Sequence, residues 1–293
     1  MGYPKIFLII LNWNGKEVLK DCLQSIEKID YPNYEVIVVD NGSTDDSQKM
    51  IKESFSYVHL IENEKNEGVA EGQNIGIRYA LERGTNYVFI LNNDVTLDKN
   101  ILKELLKVIE SDDKIGVVGP ILYWANEPEK IQSTGGMINW KKGTASHLNT
   151  GEIDKELPNT REVDYVGLVF VSSNILEKIG LYNSKYFAYW EDTDFCTRVK
   201  EVGYKVISVS DAKVWHALEY TTGKISGFYE YHMARNMFWF MKQHATRRQY
   251  LSFLLYFFGF PFWLTSGIHL VYHRDISAFI SFLKGVRDGI RGI

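Results

Sequence analysis

Over the first 120 residues, short apolar runs alternate with longer amphipathic stretches, and most of the apolar runs stop at a polar residue. Residues 6–11 are continuously apolar, the pattern of a strand buried on both faces. Val18, Leu19, Cys22, Leu23, Ile26 and Ile29 then recur at helical spacing. A second strand is predicted over 35–39, closed by Asp40. Ser43-Thr44-Asp45-Asp46 reads as a capping box, which places a helix start near Thr44. Further strands are predicted over 58–61, 87–91 and 117–122, with helices over 69–83, where Gly84 is the stop, and over 99–109.

Residues 123–162 are polar and rich in Gly, Asn, Glu and Lys, and predict loops or a short antiparallel excursion. Order resumes over 163–171, followed by helices at 173–179 and 191–202, stopped by Gly180 and Gly203, and a strand at 205–209. Strands alternating with helices imply an α/β fold: a mostly parallel sheet with helices on both faces. Residues 1–240 are expected to form this domain, and 241–293 a C-terminal apolar helical region. The sequence shows no internal repeat.

Composition adds two constraints. The chain has 293 residues, 45% apolar and 24% charged, with a net charge of −4, which argues against a protein that coats nucleic acid. The charge is uneven: residues 242–293 carry seven basic side chains against Asp275 and Asp288, a net +5, so the tail suits an anionic surface. Residues 250–272 contain no Asp, Glu, Lys or Arg. As one helix they would span about 34 Å, enough for a bilayer core, but Gly259, Pro261 and Gly267 interrupt them. Helices lying on the membrane surface, with Arg247, Arg248, Lys284 and Arg287 on anionic headgroups, fit best. A transmembrane span and a homo-oligomer interface are the alternatives. Cys22 and Cys196 both fall in predicted helices and read as small buried hydrophobes. With no signal-peptide pattern at the N-terminus, the expected location is the cytoplasm, at the inner face of the cell membrane.

Ligands of open α/β sheets bind beyond the carboxyl ends of the strands. Polar residues gather at those ends here: Asn12 and Asn14, Asp40, Asn66 and Asp94. Asp40, which opens "DNGSTDDS", either accepts hydrogen bonds from a base or ribose or caps its own turn. In "NEGVAEGQNIG", Gly68, Gly72 and Gly76 allow close approach by a ligand or by a neighbouring element. No GxxxxGK[ST] loop occurs. In "FILNNDVTLD", Asp94 either binds Mg²⁺ or Mn²⁺ against a diphosphate, with Asn93 orienting water, or caps a turn. In "YFAYWEDTDF", Glu191, Asp192 and Asp194 open a helix among five aromatics. Asp194 is spaced for an ion pair with Arg198, and aromatic walls can poise a neighbouring carboxylate as a general base.

Together, "LNWNG", "VVDNGSTDDS", "NEGVAEGQNIGI", "FILNNDV" and "GLYNSKYFAYWEDTDFCTRVKEVGYKV", in this order, resemble the family 2 glycosyltransferases, inverting enzymes of the A-type nucleotide-sugar fold, and most of all their rhamnosyltransferase-like branch. The resemblance covers about residues 5–240. It implies that Asp40 binds the nucleobase and that Asn12, Asn66, Gly68, Asn74 and Asn93 line the nucleotide pocket. It implies Asp94 as the metal ligand, His216 of "VWHALEYTTG" near the metal or diphosphate, and Arg235 of "YHMARN" on phosphate. Asp192, with Glu191 beside it, is the implied catalytic base. The implied partners are a dTDP- or UDP-sugar donor and a glycan or lipid-linked acceptor. The sequence departs from the family in having Asn92 where relatives keep an acid, Asn183 for an aspartate, and "GLVFV" at 167–171, which bears on the acceptor pocket. A nucleotidyltransferase and a catalytically inactive nucleotide- or glycan-binding module are the competing readings. The mechanism requires the acids at 40, 94 and 192 to line one cleft.

Overall fold

The computed structural model describes residues 2–153, 157–217 and 227–293. They form two compact units, the first from residues 2–137, 147–187 and 191–217, the second from 138–146, 188–190 and 227–293.

The first unit opens with β1 (Ile6–Asn12), α1 (Lys16–Ile26), β2 (Tyr34–Asp40), α2 (Ser47–Ser54), β3 (Val58–Glu62), α3 (Val69–Glu82) and β4 (Tyr87–Asn92). Next come β5 (Val95–Leu97), α4 (Ile101–Ile109), β6 (Ile115–Trp124) and β7 (Glu127–Ser133). β8 (Gly136–Asn139) and β9 (Thr144–His147) pair as a separate two-stranded sheet, whose residues 138–146 group with the second unit. β10 (Thr160–Glu162), β11 (Val169–Ser172), α5 (Ser173–Ile179), α6 (Glu191–Glu201) and β12 (Lys205–His216) complete the first unit.

The main sheet has the order β10-β12-β6-β11-β4-β1-β2-β3. β4, β1, β2 and β3 run parallel, as do β6 and β12, while β11 enters antiparallel between β4 and β6. The fold is thus α/β with a mostly parallel sheet, as the sequence predicts. β1 explains why its sequence is unbroken in apolar residues. Ile6, Leu8 and Ile10 join the main core with α1 and α4, whereas Ile9 and Leu11 face α3 at Gly76 and Gly72. A Cβ on Gly72 would come within 2.4 Å of Leu11, and one on Gly76 within 2.4 Å of Ile9. Close packing of helix on strand therefore accounts for these two glycines, and adding a methyl at either would cost about 1–3 kcal/mol.

Two local expectations change, the start of α2 and the end of β12. α2 begins at Ser47, not near Thr44, and Asp46 before it is left-handed with no side-chain cap. The polar groups of the expected capping box serve the end of β1 instead: Ser43 Oγ accepts from the amide of Asn14 at 2.8 Å, and Asp45 from that of Lys16 at 2.8 Å. The 123–162 stretch contains β7 to β10, the antiparallel excursion. β12 runs on to His216, well past the predicted 209.

The second unit contains α7 (Phe228–His244), α8 (Arg247–Gly259), α9 (Pro261–Gly267), a π-helical turn (Ile268–Tyr272) and α10 (Ile276–Arg291). α7 thus groups with the tail, and the boundary expected at 240 falls inside this unit. Gly285 and Gly289 of α10 meet the backbone of α7 at Tyr231 and Arg235 so closely that a Cβ on either would clash. Phe238, Phe253 and Phe257 form its aromatic core. Tyr189 and Trp190, consecutive bulky residues, both hold positive φ (67° and 74°). The fully buried Asn236 secures this strained turn, its Nδ2 donating to the carbonyls of Ala188 at 2.7 Å and Tyr189 at 2.8 Å.

Candidate active site

Strand register carries the polar strand ends of the first unit to one edge. Asn12 stands beside Asp40 across β1 and β2, and Leu11 beside Asn92 across β1 and β4. At the far end of β12, His216 lies beside Trp124 of β6 and opposite Val95 of β5. A cleft of about 300 Å³ opens here, with Gln73, Asn92, Gln132, His147, Asp192 and His216 among its lining residues.

Asp94 and His216, distant in sequence, meet at this edge: His216 Nε2 is 3.0 Å from Asp94 Oδ1, each side chain 13% exposed. The β5–β12 pairing brings them together, reinforced by the amide of Ala217 donating to the Asp94 carbonyl at 2.9 Å. Among the described residues no group of three or more His, Cys, Asp or Glu side chains is placed to hold a metal ion. The pair alone fits an ion that takes its remaining ligands elsewhere. A carboxylate oxygen and an imidazole nitrogen side by side are both metal-ligand types.

Asp192 and Glu191 occupy the first turn of α6 at the cleft wall. Oδ1 of Asp192 accepts from the amide of Thr193 at 2.6 Å and its hydroxyl at 3.2 Å, while Oδ2 lies about a van der Waals contact from where a Cβ of Gly167 would sit. Gly167 thus leaves room at that oxygen, while Leu168 is buried in the main core. Burial raises the Asp192 pKa above its ordinary value, opposed by the Thr193 amide and by His147 nearby. Burial, and next the charge of Asp192, push Glu191 up to about 8. Glu191 thereby holds its proton to higher pH than an ordinary carboxyl. Asp194 is fully buried and paired with Arg198 at 2.9 Å, the structural role its spacing predicts.

The expected nucleotide residues divide. Asn12 is fully buried; its Nδ2 donates to Asp40 at 2.9 Å and its Oδ1 accepts from Asn93 at 2.8 Å. Gly15 makes room for Asn93, because a Cβ there would overlap its amide. Asp40 is also fully buried, accepting from Asn12, the Ser43 amide and Gln48. In this structure it braces the strand ends instead of lying open to a base. Asn66 accepts from Asn41 and from the Gly68 amide. Gly68 has φ +86°, and a Cβ there would meet Phe187 at 2.7 Å, so the protein itself occupies the space its missing side chain leaves. Asn74 holds both backbone groups of Tyr182, donating to its carbonyl and accepting from its amide at 2.9 Å each. Arg235 belongs to the second unit, its guanidinium 4.3 Å from the Trp239 ring centre. Part of "VWHALEYTTG", from Leu218 on, lies outside the described residues.

Gln132 and His147, which sequence reasoning passed over, come from the excursion of short strands. Neither sits in a periodic stretch or a recognisable motif, so no local signal singles them out.

The family model described as Glycosyl transferase family 2 matches residues 7–180. The dTDP-rhamnosyl transferase RfbF of Shigella flexneri is 27% identical over 98% of this chain and 96% of its own length. The low-salt glycan biosynthesis hexosyltransferase Agl10 of Haloferax volcanii is 28% identical over 66% of this chain and 61% of its own. In fold, the chain resembles the mannosyltransferase PcManGT of Pyrobaculum calidifontis, solved in complex with GDP-Man and Mn²⁺ (TM-score 0.60, 16% identity, 99% of this chain and 88% of that one). It also resembles TarS 1-349 of S. aureus in complex with UDP-GlcNAc (TM-score 0.60, 18% identity, 99% and 81%).

Proposed function

The chain belongs to glycosyl transferase family 2, and on that premise we propose that it transfers a sugar, with inversion, from a nucleoside diphosphate donor to a polysaccharide or lipid-linked acceptor. The observation that carries this reading is the placement of Asp192 and the Asp94-bound His216 on one cleft. In the proposed reaction the Asp192 carboxylate takes the proton of an acceptor hydroxyl as that oxygen bonds to the anomeric carbon. The bond from that carbon to the phosphate oxygen breaks, and a nucleoside diphosphate leaves. Asp94 and His216 would hold a divalent metal, Mn²⁺ or Mg²⁺, which when bound would offset the charge gathering on the diphosphate. Glu191, still protonated, keeps a second negative charge away from Asp192 and offers a hydrogen-bond donor in the cleft. Asn12, Asp40 and Asn93 shape the nucleotide side of the edge by bracing one another, and Asn74 does so by fixing Tyr182.

Because RfbF carries dTDP-rhamnosyl transfer in its name, dTDP-rhamnose is the first donor to try. The test is a donor panel with Mn²⁺, following release of nucleoside diphosphate and the anomeric configuration of the product by NMR. Release of pyrophosphate, or retention of configuration, overturns the reading.

The second unit is proposed to lie on the cytoplasmic face of the cell membrane. The run Arg247–Tyr272 is long and apolar enough to cross a bilayer, and 11% of its apolar 18-residue stretch is buried. A break at Phe260–Pro261 divides it. Leu255, Phe260, Trp263, Val271 and Tyr272 are all exposed, and Arg247 and Arg248 stand at its start. Aromatic and basic residues beside an apolar face suit an anionic lipid interface.

A further inference from the structure

The His216 ring is fixed from both sides. Its Nδ1 is 2.8 Å from Oε1 of Gln132, and its Nε2 is 3.0 Å from Asp94. An amide oxygen only accepts, so Nδ1 carries the hydrogen of this bond, and Nε2 is the ring nitrogen turned to the Asp94 carboxylate. At that distance either a proton on Nε2 or a metal ion joins the two atoms. Gln132 therefore selects the tautomer that a metal ligand needs.

A second observation concerns the other end of the same amide. Gln132 is 8% exposed and lines the cleft, yet its Nε2 is buried with no hydrogen-bond partner among the described residues. Buried donors are ordinarily paired. A bound group presenting acceptor oxygens to this wall would supply the partner. The backbone that aims Gln132 is itself tied down, since Thr150 Oγ1 donates to the Gln132 carbonyl at 2.9 Å.

We propose that Gln132 is a positioning residue with two faces: Oε1 orients His216 for the metal, and Nε2 donates to an oxygen of the donor's diphosphate. This rests on the metal-assisted transfer set out above, and the two ideas fail separately. Mn²⁺ is titrated into the purified full chain with dTDP or UDP present, and binding is read from loss of the free Mn²⁺ EPR signal against nucleotide alone. Wild type is expected to bind. Gln132→Leu, folded by circular dichroism, is expected to lose roughly 10- to 100-fold in Mn²⁺ affinity. Gln132→Glu keeps an acceptor for Nδ1 and should keep Mn²⁺ affinity, while its lost donor and added charge weaken nucleotide binding measured at saturating Mn²⁺. Wild-type Mn²⁺ affinity in Gln132→Leu overturns the inference and leaves the metal reading standing. A Gln132→Glu variant that loses Mn²⁺ binding also overturns it, and this result decides even where the leucine variant does not fold. Absence of Mn²⁺ binding in wild type overturns the metal reading and this inference with it.

Discussion

His216 Nε2 lies 3.0 Å from Asp94 Oδ1, although one residue ends β12 and the other sits between β4 and β5. The contact exists because β5, three residues long, pairs antiparallel with the end of β12. If the two hold one ion, Asp94→Asn and His216→Ala should each lower metal-dependent kcat/KM by at least roughly 100-fold. Circular dichroism should remain that of wild type. Full transfer activity in either variant would remove the metal from this site.

Asp192→Asn preserves the shape of the α6 entrance but cannot take a proton. Loss of a general base costs roughly 10²- to 10⁴-fold in kcat, with donor affinity by calorimetry changed little. A variant in which donor affinity collapses while kcat holds would assign Asp192 to binding.

Glu191 supplies a pH dependence with a definite sign. Its folded pKa of about 8 lies above the ordinary 4.5, so the unfolded chain releases this proton first as pH rises. The contribution is intact below about pH 4.5 and declines until about pH 8. Thermal melts of Glu191→Gln and wild type should therefore diverge over that window, the variant gaining relative stability as pH rises. Parallel melting curves from pH 5 to pH 8 would count against a protonated Glu191.

Asn74 was expected in the nucleotide pocket, but both ends of its amide are held by the Tyr182 backbone. Asn74→Ala leaves a buried N–H and a buried C=O without partners and should cost about 2–4 kcal/mol, seen as a lower urea midpoint. A variant of unchanged stability with weaker nucleotide binding would return Asn74 to the pocket.

The exposed aromatic surface of the second unit predicts binding to vesicles containing phosphatidylglycerol, weakened by salt and by Arg247→Glu/Arg248→Glu. Phe260→Ser with Trp263→Ser should reduce sedimentation with these vesicles several-fold. A wild-type chain that ignores anionic vesicles but sediments as a dimer would identify a second copy as what covers this surface.

The sheet and its helices could be read locally because the core strands declare themselves in short runs of neighbouring residues. Ile6 to Leu11 is apolar throughout because both its faces are covered, and Gly84 and Gly180 stop helices by their own positive φ. The edge where polar strand ends gather was legible too, since polar residues that break apolar runs end up adjacent once parallel strands are in register. Ser43 to Asp46 misled for the opposite reason. Those side chains satisfy a loop thirty residues earlier in the chain, and their spacing carries no record of it.

By itself, then, the sequence determined the α/β layering and the sheet edge where the polar strand ends gather, because periodicity and strand-terminal polarity are local properties. Tertiary structure alone decided that Asp40 is enclosed, that Asn74 clamps Tyr182, and that Gln132 reaches His216 from a strand with no motif. Those outcomes depend on which groups compete for each buried hydrogen bond, and that competition is settled only when distant segments pack together.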